Sequence, residues 1–475
     1  MTETSPTVAI AGGGLAGLAA ACALSDAGFR VTLFEKRPFL GGRASSYEHP
    51  GTGEVVDNCQ HVLFRLCTNL VEFYERIGVA NHIRWYDRMT FIEPGGRIST
   101  MQSSFLPAPL HTAPSFFGFH FLSAADKLAV ARALMPLTVR VQPDTGKSFQ
   151  QWLQAHGQTQ NAIARFWRPI LVSALSEELD RISISAAAQV VRESMKSRAA
   201  RHMGVPTVPL TDLYNAAGDY VRARGGVLHF RCPVENFAAQ GSQVQVQVRG
   251  KDSPAENPPE EFDYLVIALP FDALDRILPQ AATSEPLREK ITHFENSPIT
   301  GIHLWFDRQI SDLDHAVLLD RTIQWMFHKS RLQPVRSQNP NGSGSYIELV
   351  VSSSKTLIDK SRGEIVDLAL AEVREFFPAA RPANLVKSTV IKEVNATYSP
   401  RPGIDVHRPT ALTAWPRVFL AGDWTATGWP ATMEGAVRSG YLAAEAVAGA
   451  AGIANQRFLS PDLPASGLMR LFPSA

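Results

Sequence analysis

The feature that most constrains this chain is a glycine-rich segment close to its start. A short apolar run over residues 7–11 predicts a buried strand, and it leads directly into Gly12-Gly13-Gly14-Leu15-Ala16-Gly17. In this pattern Gly12 permits a tight turn, Gly14 lets a pyrophosphate approach the backbone, and Gly17 lets the next helix pack closely on the strand. We therefore predict a strand, a turn and a helix over about residues 15–27.

A carboxylate after a second predicted strand supports a dinucleotide site. Glu35 follows residues 31–34 and lies about 18 residues beyond Gly17, where an acid can accept hydrogen bonds from both ribose hydroxyls. We expect the phosphates on the free N–H groups at the helix start, from Leu15, Ala16 and Gly17. We also expect Lys36, which follows the acid, to contact the nucleotide.

A second glycine pair comes shortly after Glu35. Gly41 and Gly42 precede Arg43, and an arginine beside flexible glycines can hold a pyrophosphate through charge-assisted hydrogen bonds. The alternative is an ordinary glycine turn with a solvated arginine. We assign Gly42 and Arg43 to the nucleotide site.

The other half of the site is predicted near the C-terminus. Residues 417–421 predict a strand that ends at Gly422 and Asp423, and residues 428–436, with Thr432 and Met433, open a helix. An acid at the strand end can bind ribityl hydroxyls. A helix N-terminus under an isoalloxazine ring would stabilise negative charge on the reduced ring. Together the two halves predict non-covalently bound FAD.

These motifs resemble those of the FAD-dependent amine oxidase and phytoene desaturase superfamily. The resemblance rests on the first glycine fingerprint, on Gly41-Gly42-Arg43-Ala44-Ser45-Ser46, and on Met433-Glu434-Gly435-Ala436-Val437-Arg438-Ser439-Gly440. Within the superfamily, Leu420-Ala421-Gly422-Asp423-Trp424-Thr425 and the residues from Pro430 to Gly440 are most similar to hydroxysqualene dehydroxylases, also described as squalene-associated desaturases. Val56-Asp57-Asn58-Cys59-Gln60-His61 resembles that family's Asp-Asn-Gly-Gln-His segment, with Cys59 in place of glycine.

The resemblance implies a reductive reaction on a long isoprenoid. Hydroxysqualene, an apolar C30 isoprenoid, would lose its allylic hydroxyl and receive a hydride from reduced FAD to give squalene. His61 is a candidate proton donor, with a structural histidine as the alternative. Trp429 is a candidate cation-stabilising ring, with cofactor packing as the alternative. Val234 falls where the superfamily lays a valine over the adenine.

Other functions remain open. A phytoene or carotenoid desaturase would use the same fold with the hydride flow reversed, and a prenyl-lipid escort protein would carry lipid without redox turnover. Glu35, Arg43 and Asp423 argue against the escort. Because no second glycine-rich nucleotide fingerprint follows a strand, electrons are expected from free NAD(P)H, a partner reductase or a quinone. Other squalene-pathway enzymes are further candidate partners.

Net charge and cysteine spacing give no indication of a nucleic-acid partner or of a bound metal. A net charge of +1 over 475 residues gives no electrostatic case for nucleic acid. The four cysteines form no cluster of metal-ligand spacing, so no metal is predicted. In the absence of a secretory signal they are expected to be reduced thiols of a cytoplasmic protein.

An uncharged, phenylalanine-rich segment over residues 105–122 has two interpretations. It is either a buried connection over the core or a patch at the membrane surface through which an isoprenoid leaves the bilayer. Proline and glycine break it too often for a spanning helix. The basic residues 196–202 could meet anionic lipid on the inner face of the cytoplasmic membrane, with a solvated loop as the alternative.

The predicted fold class is α/β, with a discontinuous Rossmann-like FAD-binding domain and a substrate domain that combines a mixed sheet with helices. We assign residues 1–100, 225–275 and 406–452 to the FAD-binding domain. Residues 101–224 form a helical region that faces substrate or membrane, 276–405 the sheet of the substrate domain, and 453–475 a C-terminal extension.

Overall fold

The computed structural model describes residues 5–250, 258–333, 344–453 and 455–472, and it confirms the α/β class. The strands in chain order are β1 (Thr7–Ala11), β2 (Arg30–Glu35), β3 (Ser46–Glu48), β4 (Val55–Asp57), β5 (Leu63–Phe64), β6 (Ile83–Tyr86), β7 (Arg88–Ile92), β8 (Ile98–Gln102), β9 (Met203–Pro206), β10 (Val227–Phe230), β11 (Val234–Gln240), β12 (Gln243–Val248), β13 (Glu260–Phe262), β14 (Tyr264–Ile267), β15 (Asn296–Phe306), β16 (His315–Leu318), β17 (Trp325–Phe327), β18 (Ser345–Ser352), β19 (Leu385–Tyr398) and β20 (Val418–Leu420).

The helices are α1 (Leu15–Asp26), α2 (Thr68–Arg76), α3 (Ala113–Phe117), α4 (Ala124–Val139), α5 (Phe149–Ala155), α6 (Gln160–Ala162), α7 (Arg168–Leu175), α8 (Ile184–Met195), α9 (Leu210–Arg222), α10 (Phe271–Leu274), α11 (Glu285–Thr292), α12 (Lys329–Leu332), α13 (Arg362–Phe376) and α14 (Met433–Ala450). A π-helical turn, Ile163–Trp167, joins α6 to α7. No helix among the described residues combines the length and the apolar character needed to cross a bilayer.

A parallel five-stranded sheet brings together segments that are far apart in the chain. Its order is β10-β2-β1-β14-β20, and every pairing in it is parallel. Residues 8–11 of β1 and all of β14 are buried and mostly aliphatic, as expected for strands covered on both faces. The carboxyl ends of all five strands therefore lie at one edge, where ligands of such sheets bind.

Helices α1 and α14 pack against each other on one face of this sheet. Their contact is so close that a Cβ atom on Gly440 would lie 2.2 Å from the carbonyl oxygen of Ala16 and 2.9 Å from the Cβ of Ala19. The N-terminal helix is thus held against the C-terminal helix by a position that accepts no side chain. Both helices begin at the same edge of the sheet, where β1 and β20 end.

The second sheet is mixed and has seven strands in the order β19-β15-β18-β17-β16-β7-β8. It corrects one predicted boundary, since residues 88–100 are predicted in the FAD-binding domain and residues 101–102 in the helical region. The hairpin β7-β8 instead pairs with β16, with Phe91 opposite Val317. A local hairpin pattern does not reveal which sheet it joins. The remaining domain boundaries stay predictions.

The region predicted to be helical, residues 101–224, contains α3 to α9 and also the short strand β9, which pairs with β5 and β6. Helices α3 to α8 cover one face of the seven-stranded sheet and enclose an apolar core rich in aromatic rings, whereas α9 packs beside α1. Helix α13 packs on the opposite face, which has an aliphatic core of its own. The mixed sheet therefore separates two apolar compartments.

The contact between α1 and α14 generates a test with a matched control on one helix. We expect Gly440→Ala to lower the free energy of unfolding by about 1–3 kcal/mol, because the new methyl group overpacks the contact. Gly449→Ala, nine residues further along α14 where a Cβ would meet nothing within 4 Å, should instead stabilise by up to about 1 kcal/mol. Urea unfolding of both variants checks the pair. Equal effects would contradict the helix contact.

Candidate FAD site

The glycine fingerprint lies at the carboxyl end of the parallel sheet, between β1 and α1. Gly12 has a φ of +110°. A Cβ atom on Gly12 would lie 2.6 Å from the carbonyl oxygen of Ala268, and one on Gly17 would lie 1.9 Å from the carbonyl oxygen of Gly12. The turn itself therefore requires both of these glycines.

Gly14 is different, because the protein does not fill the space beside it. A Cβ atom there would meet nothing nearer than the Cα of Gly42, at 3.8 Å. No side chain caps α1, so its first N–H groups, including those of Leu15, Ala16 and Gly17, have no intrahelical partner. Open space before an uncapped helix N-terminus is suited to phosphate, and it fits the predicted pyrophosphate position.

The second glycine loop closes on the first. The Gly41 N–H donates to the Gly13 carbonyl oxygen at 2.9 Å, and a Cβ on Gly42 would lie 2.9 Å from the Cα of Gly14. Two backbone segments without side chains thus face each other. A pyrophosphate bound at Gly14 would also lie beside Gly42, as the two motifs predict.

Glu35 is buried at the end of β2, with its carboxylate fixed beside the glycine loop. Its two oxygens accept hydrogen bonds from the N–H of Gly13 at 2.6 Å and from that of Arg37 at 2.7 Å. Lys36 is exposed. The Cys232 N–H donates to the Glu35 carbonyl oxygen at 3.0 Å, which brings buried Val234 close to the expected nucleotide. These positions suit the ribose and adenine assignments, which remain predictions.

An arginine–aspartate pair joins the front half of the site to the back half. Arg43 Nη2 lies 2.5 Å from Asp423 Oδ1, and Arg43 Nη1 donates to the Ala396 carbonyl oxygen at 3.2 Å. Arg43 is therefore not the solvated arginine of an ordinary turn. Gly422, with a φ of +148°, places its N–H 2.8 Å from the Ser439 hydroxyl on α14. The two motifs meet at one edge of the sheet.

Arg408 holds the back loop in shape and was missed at the sequence level. Its buried guanidinium donates to the carbonyl oxygens of Thr425 at 2.5 Å and Trp429 at 2.6 Å, and to that of Asp423 at 3.3 Å. One cation thus fixes the loop that carries the predicted ribityl-binding acid. No motif surrounds this arginine, so only the folded chain reveals its role.

The start of α14 presents two predicted flavin contacts. The Thr432 hydroxyl accepts a hydrogen bond from the Gly435 N–H at 3.1 Å and so caps the helix. The sulfur of Met433 lies 3.7 Å from the Tyr214 hydroxyl. With the Thr432 hydroxyl engaged in capping, contacts to the cofactor from this residue would come from its backbone.

Trp429, the candidate cation-stabilising ring, and the nearby Trp424 of the same loop differ in their surroundings. Trp424 is a core residue whose indole N–H donates to the Leu269 carbonyl oxygen at 2.9 Å. Trp429 is buried, and the Arg438 guanidinium lies 5.5 Å from its ring centroid. Trp429 therefore already has a cation–π partner within the protein. Its role toward a substrate cation stays a prediction.

His61 and Cys59 lie together beside the Arg43 loop. The Nδ1 atom of His61 is 2.7 Å from the Cys59 carbonyl oxygen, and burial lowers the pKa of this histidine. A neutral imidazole is a poor proton donor, and the catalytic role of His61 remains a prediction. Burial raises the pKa of the Cys59 thiol well above its ordinary value, which disfavours the thiolate needed for a covalent flavin bond.

A buried charged cluster next to this segment was also missed at the sequence level. Lys329 Nζ lies 2.5 Å from an oxygen of Asp57 and 3.4 Å from an oxygen of Glu348. The three residues come from β4, α12 and β18, far apart in the chain, so no spacing rule could have joined them. Desolvated ionisable groups beside a cofactor site are candidates for chemistry.

The fold and the paired glycine loops define an FAD-dependent oxidoreductase. Residues 15–448 match the family of flavin containing amine oxidoreductases, and the chain belongs to that family. An oxidoreductase from Methanosarcina mazei has the same fold, with a TM-score of 0.69 at 17% identity over 91% of this chain and 98% of that one. Putrescine oxidase bound to putrescine gives a TM-score of 0.68 at 16% identity over 95% and 99%.

Curated relatives match along nearly the whole chain. A probable zeta-carotene desaturase from Synechococcus elongatus is 29% identical over 94% of this chain and 99% of its own length. A 15-cis-phytoene desaturase from the same organism is 28% identical over 93% and 95%. These comparisons support the predicted superfamily and FAD as the cofactor. They favour the desaturase alternative over the hydroxysqualene dehydroxylase interpretation.

The ribose assignment can be tested at Glu35. We expect Glu35→Ala to weaken FAD binding about ten- to a hundred-fold, because the ribose and the Gly13 N–H both lose a charged acceptor. Glu35→Gln, which keeps one oxygen acceptor, should weaken it less. Titration of flavin-free protein with FAD, followed by fluorescence, gives both dissociation constants. Wild-type affinity in the alanine variant would remove Glu35 from the site.

Proposed function

We propose that the protein transfers a hydride between FAD and a carbon of a long isoprenoid. The observation that carries this proposal is the end-to-end similarity to proteins described as carotene and phytoene desaturases. The aromatic core between the mixed sheet and α3 to α8 supports it, because an isoprenoid that entered between these elements would contact apolar side chains. A lipid escort without redox turnover would not need Glu35 or the Arg43–Asp423 ion pair.

Two directions of hydride flow are compatible with this site. Whole-chain similarity favours desaturation, in which FAD is reduced and a quinone is a natural electron acceptor. The motifs around Asp423 and Met433 favour reductive dehydroxylation of hydroxysqualene to squalene, with electrons from NAD(P)H or a partner reductase. Desaturation has the broader support from the comparisons. Dehydroxylation remains the alternative, supported by the C-terminal motif.

A single-turnover experiment separates the two directions. In anaerobic protein with oxidised FAD, phytoene or zeta-carotene should bleach the flavin absorbance if the protein is a desaturase. In photoreduced protein, hydroxysqualene should restore the oxidised spectrum and give squalene if it is a dehydroxylase. Chromatography of the extracted lipid identifies the product. If neither half-reaction occurs in FAD-loaded protein, the isoprenoid proposal is wrong.

We further propose that the protein contacts a membrane peripherally through an apolar patch formed by Phe105, Leu110, Leu468 and Leu471. All four side chains are exposed, Phe105 by 87% and Leu471 by 77%. The Leu468 N–H donates to the Ala108 carbonyl oxygen at 2.8 Å, so the C-terminal turn lies against the first segment. By contrast, Phe116, Phe119 and Phe121 are buried. The segment 105–122 therefore serves partly as core and partly as surface.

Cationic groups next to the apolar patch suit an anionic lipid surface. The Ser466 N–H donates to the Lys196 carbonyl oxygen at 3.0 Å, so the C-terminal turn lies against the basic residues 196–202, among which Arg198 is exposed. Residues 103–122 and 463–472 contain no aspartate or glutamate. Basic side chains beside exposed apolar ones are typical of peripheral membrane binding.

Vesicle flotation tests the membrane contact. We expect the double variant Phe105→Ser, Leu471→Ser to float less than wild type with vesicles that contain phosphatidylglycerol, because it loses apolar area that would enter the interface. Val406→Ser is the control, since Val406 is 78% exposed but lies outside the patch. Equal flotation of all three proteins would contradict the proposal. High salt should weaken wild-type binding if charge contributes.

A further inference from the structure

Two histidines and a glutamate meet where the end of α11 contacts the segment that precedes Arg408. Glu289 and His293 lie one helical turn apart, with His293 Nε2 3.0 Å from Glu289 Oε1. His407 ends the short helical turn Ile404–His407, and its ring stacks on that of His293 with the two centroids 3.6 Å apart. One ligand atom from each of these three side chains lies within 4.8 Å of the other two.

This donor set is typical of a zinc site. Two imidazole nitrogens and one carboxylate oxygen suit Zn²⁺, whereas Ca²⁺ and Mg²⁺ take oxygen ligands. The ligand atoms of a tetrahedral zinc ion are about 3.4 Å apart, so the three side chains have to close by at most about 1.4 Å from their present separation. Glu289 and His293 are exposed and His407 is half-buried. Rotation of the imidazoles about χ2 can therefore turn their nitrogens toward one point.

The backbone that carries these ligands is already held in place. Ile291, on α11, and Ile404 are both buried in the same apolar core. Across the cluster, Arg401 Nη2 donates to the carbonyl oxygen of His293 at 2.8 Å. The two sides of the cluster are thus joined through the protein itself, and a metal ion would require only side-chain rotation.

The charges around the cluster do not oppose a cation. Glu289 supplies one negative charge, and the carbonyl groups at the C-terminal end of α11 add partial negative charge beside His293. Arg401, which contacts the backbone of His293, is paired with Glu295 at 2.5 Å. Its positive charge is therefore balanced within the protein.

We propose that Glu289, His293 and His407 bind a zinc ion, with water as the remaining ligand, and that this ion restrains Arg408. Zinc has no redox chemistry, so it takes no part in hydride transfer, and the proposal does not depend on the identity of the substrate. Cysteine spacing gave no indication of a metal, and the two histidines come from segments that only the fold brings together.

The proposed zinc site is connected to the FAD site by a single peptide bond. His407 directly precedes Arg408, whose guanidinium donates to the carbonyl oxygens of Thr425 and Trp429 in the loop that carries Asp423. An ion that ties His407 to α11 restricts the motion of Arg408. It therefore favours the loop conformation that the FAD site requires, and zinc and FAD should strengthen each other's binding.

Calorimetric titration of the FAD-loaded, chelator-treated and tag-free protein with Zn²⁺ tests the site. Wild type should bind one ion per chain. His293→Ala, His407→Ala and Glu289→Gln should each weaken binding about a hundred-fold or more, since even the second-shell partners of metal ligands contribute roughly ten- to a hundred-fold. His120→Ala, which removes an exposed histidine outside the cluster, should bind zinc as wild type does. No binding by wild type, or equal affinity in all of these proteins, would overturn the proposal.

Electron paramagnetic resonance identifies the ligands directly. Cu²⁺ prefers the same nitrogen donors, and in wild type its spectrum should show coupling to two imidazole nitrogens. The spectrum of His293→Ala and that of His407→Ala should each show coupling to one. Unchanged nitrogen coupling in both variants would place the metal elsewhere and overturn the proposal.

The connection to the FAD site is tested by titrating flavin-free protein with FAD in the presence and absence of Zn²⁺. Zinc should tighten FAD binding to wild type about five-fold or more and should have no effect on His407→Ala. FAD affinity that does not respond to zinc in wild type would overturn the restraint on Arg408. None of these measurements uses the isoprenoid, so their failure is distinguishable from failure of the proposed function.

Discussion

The FAD site depends on the close approach of two backbone segments that carry no side chains. Gly14 and Gly42 face each other at a distance that excludes even one methyl group on Gly42, and the next residue, Arg43, reaches across to Asp423. This arrangement binds the two ends of the chain into one edge of a parallel sheet. The α1–α14 contact also requires a glycine, Gly440. Glycines at a few positions therefore determine whether the FAD site can form.

Local chemistry explains why most of this site was predictable. A strand, a tight glycine turn and an acid at the end of the next strand have fixed spacings, since each residue acts within one supersecondary unit. The positions of Gly12, Gly17 and Glu35 in the fold could therefore be predicted from sequence alone, whereas their contacts with the nucleotide remain predictions. The same holds for Gly422 and Asp423, where a strand end and a helix start follow each other closely.

Long-range partners could not be predicted in this way. Arg408 fixes the loop around Asp423 through carbonyl oxygens, which have no sequence signature. Lys329 and Glu348 meet Asp57 only because β18 and α12 fold over the segment after β4. The hairpin β7-β8 joined an unexpected sheet for a related reason. Pairing between distant strands is decided by tertiary packing, not by the local pattern.

Family membership and reaction direction rest on different parts of the molecule. Enzymes with different substrates share this fold and this FAD site, so neither one determines the direction of hydride transfer. That direction depends on the groups that contact the substrate beside the flavin. The exposed apolar patch would then bring an isoprenoid from the membrane to the FAD site.

The most direct test of the account is an experimental structure of the FAD-loaded protein with a bound isoprenoid. The account requires one FAD that runs from Glu35, past Gly14 and Gly42, to the start of α14, with the isoprenoid in the aromatic core on the Glu348 side of the mixed sheet. A cofactor that contacts only one of the two glycine-containing ends, or a lipid bound on the α13 side, would contradict it.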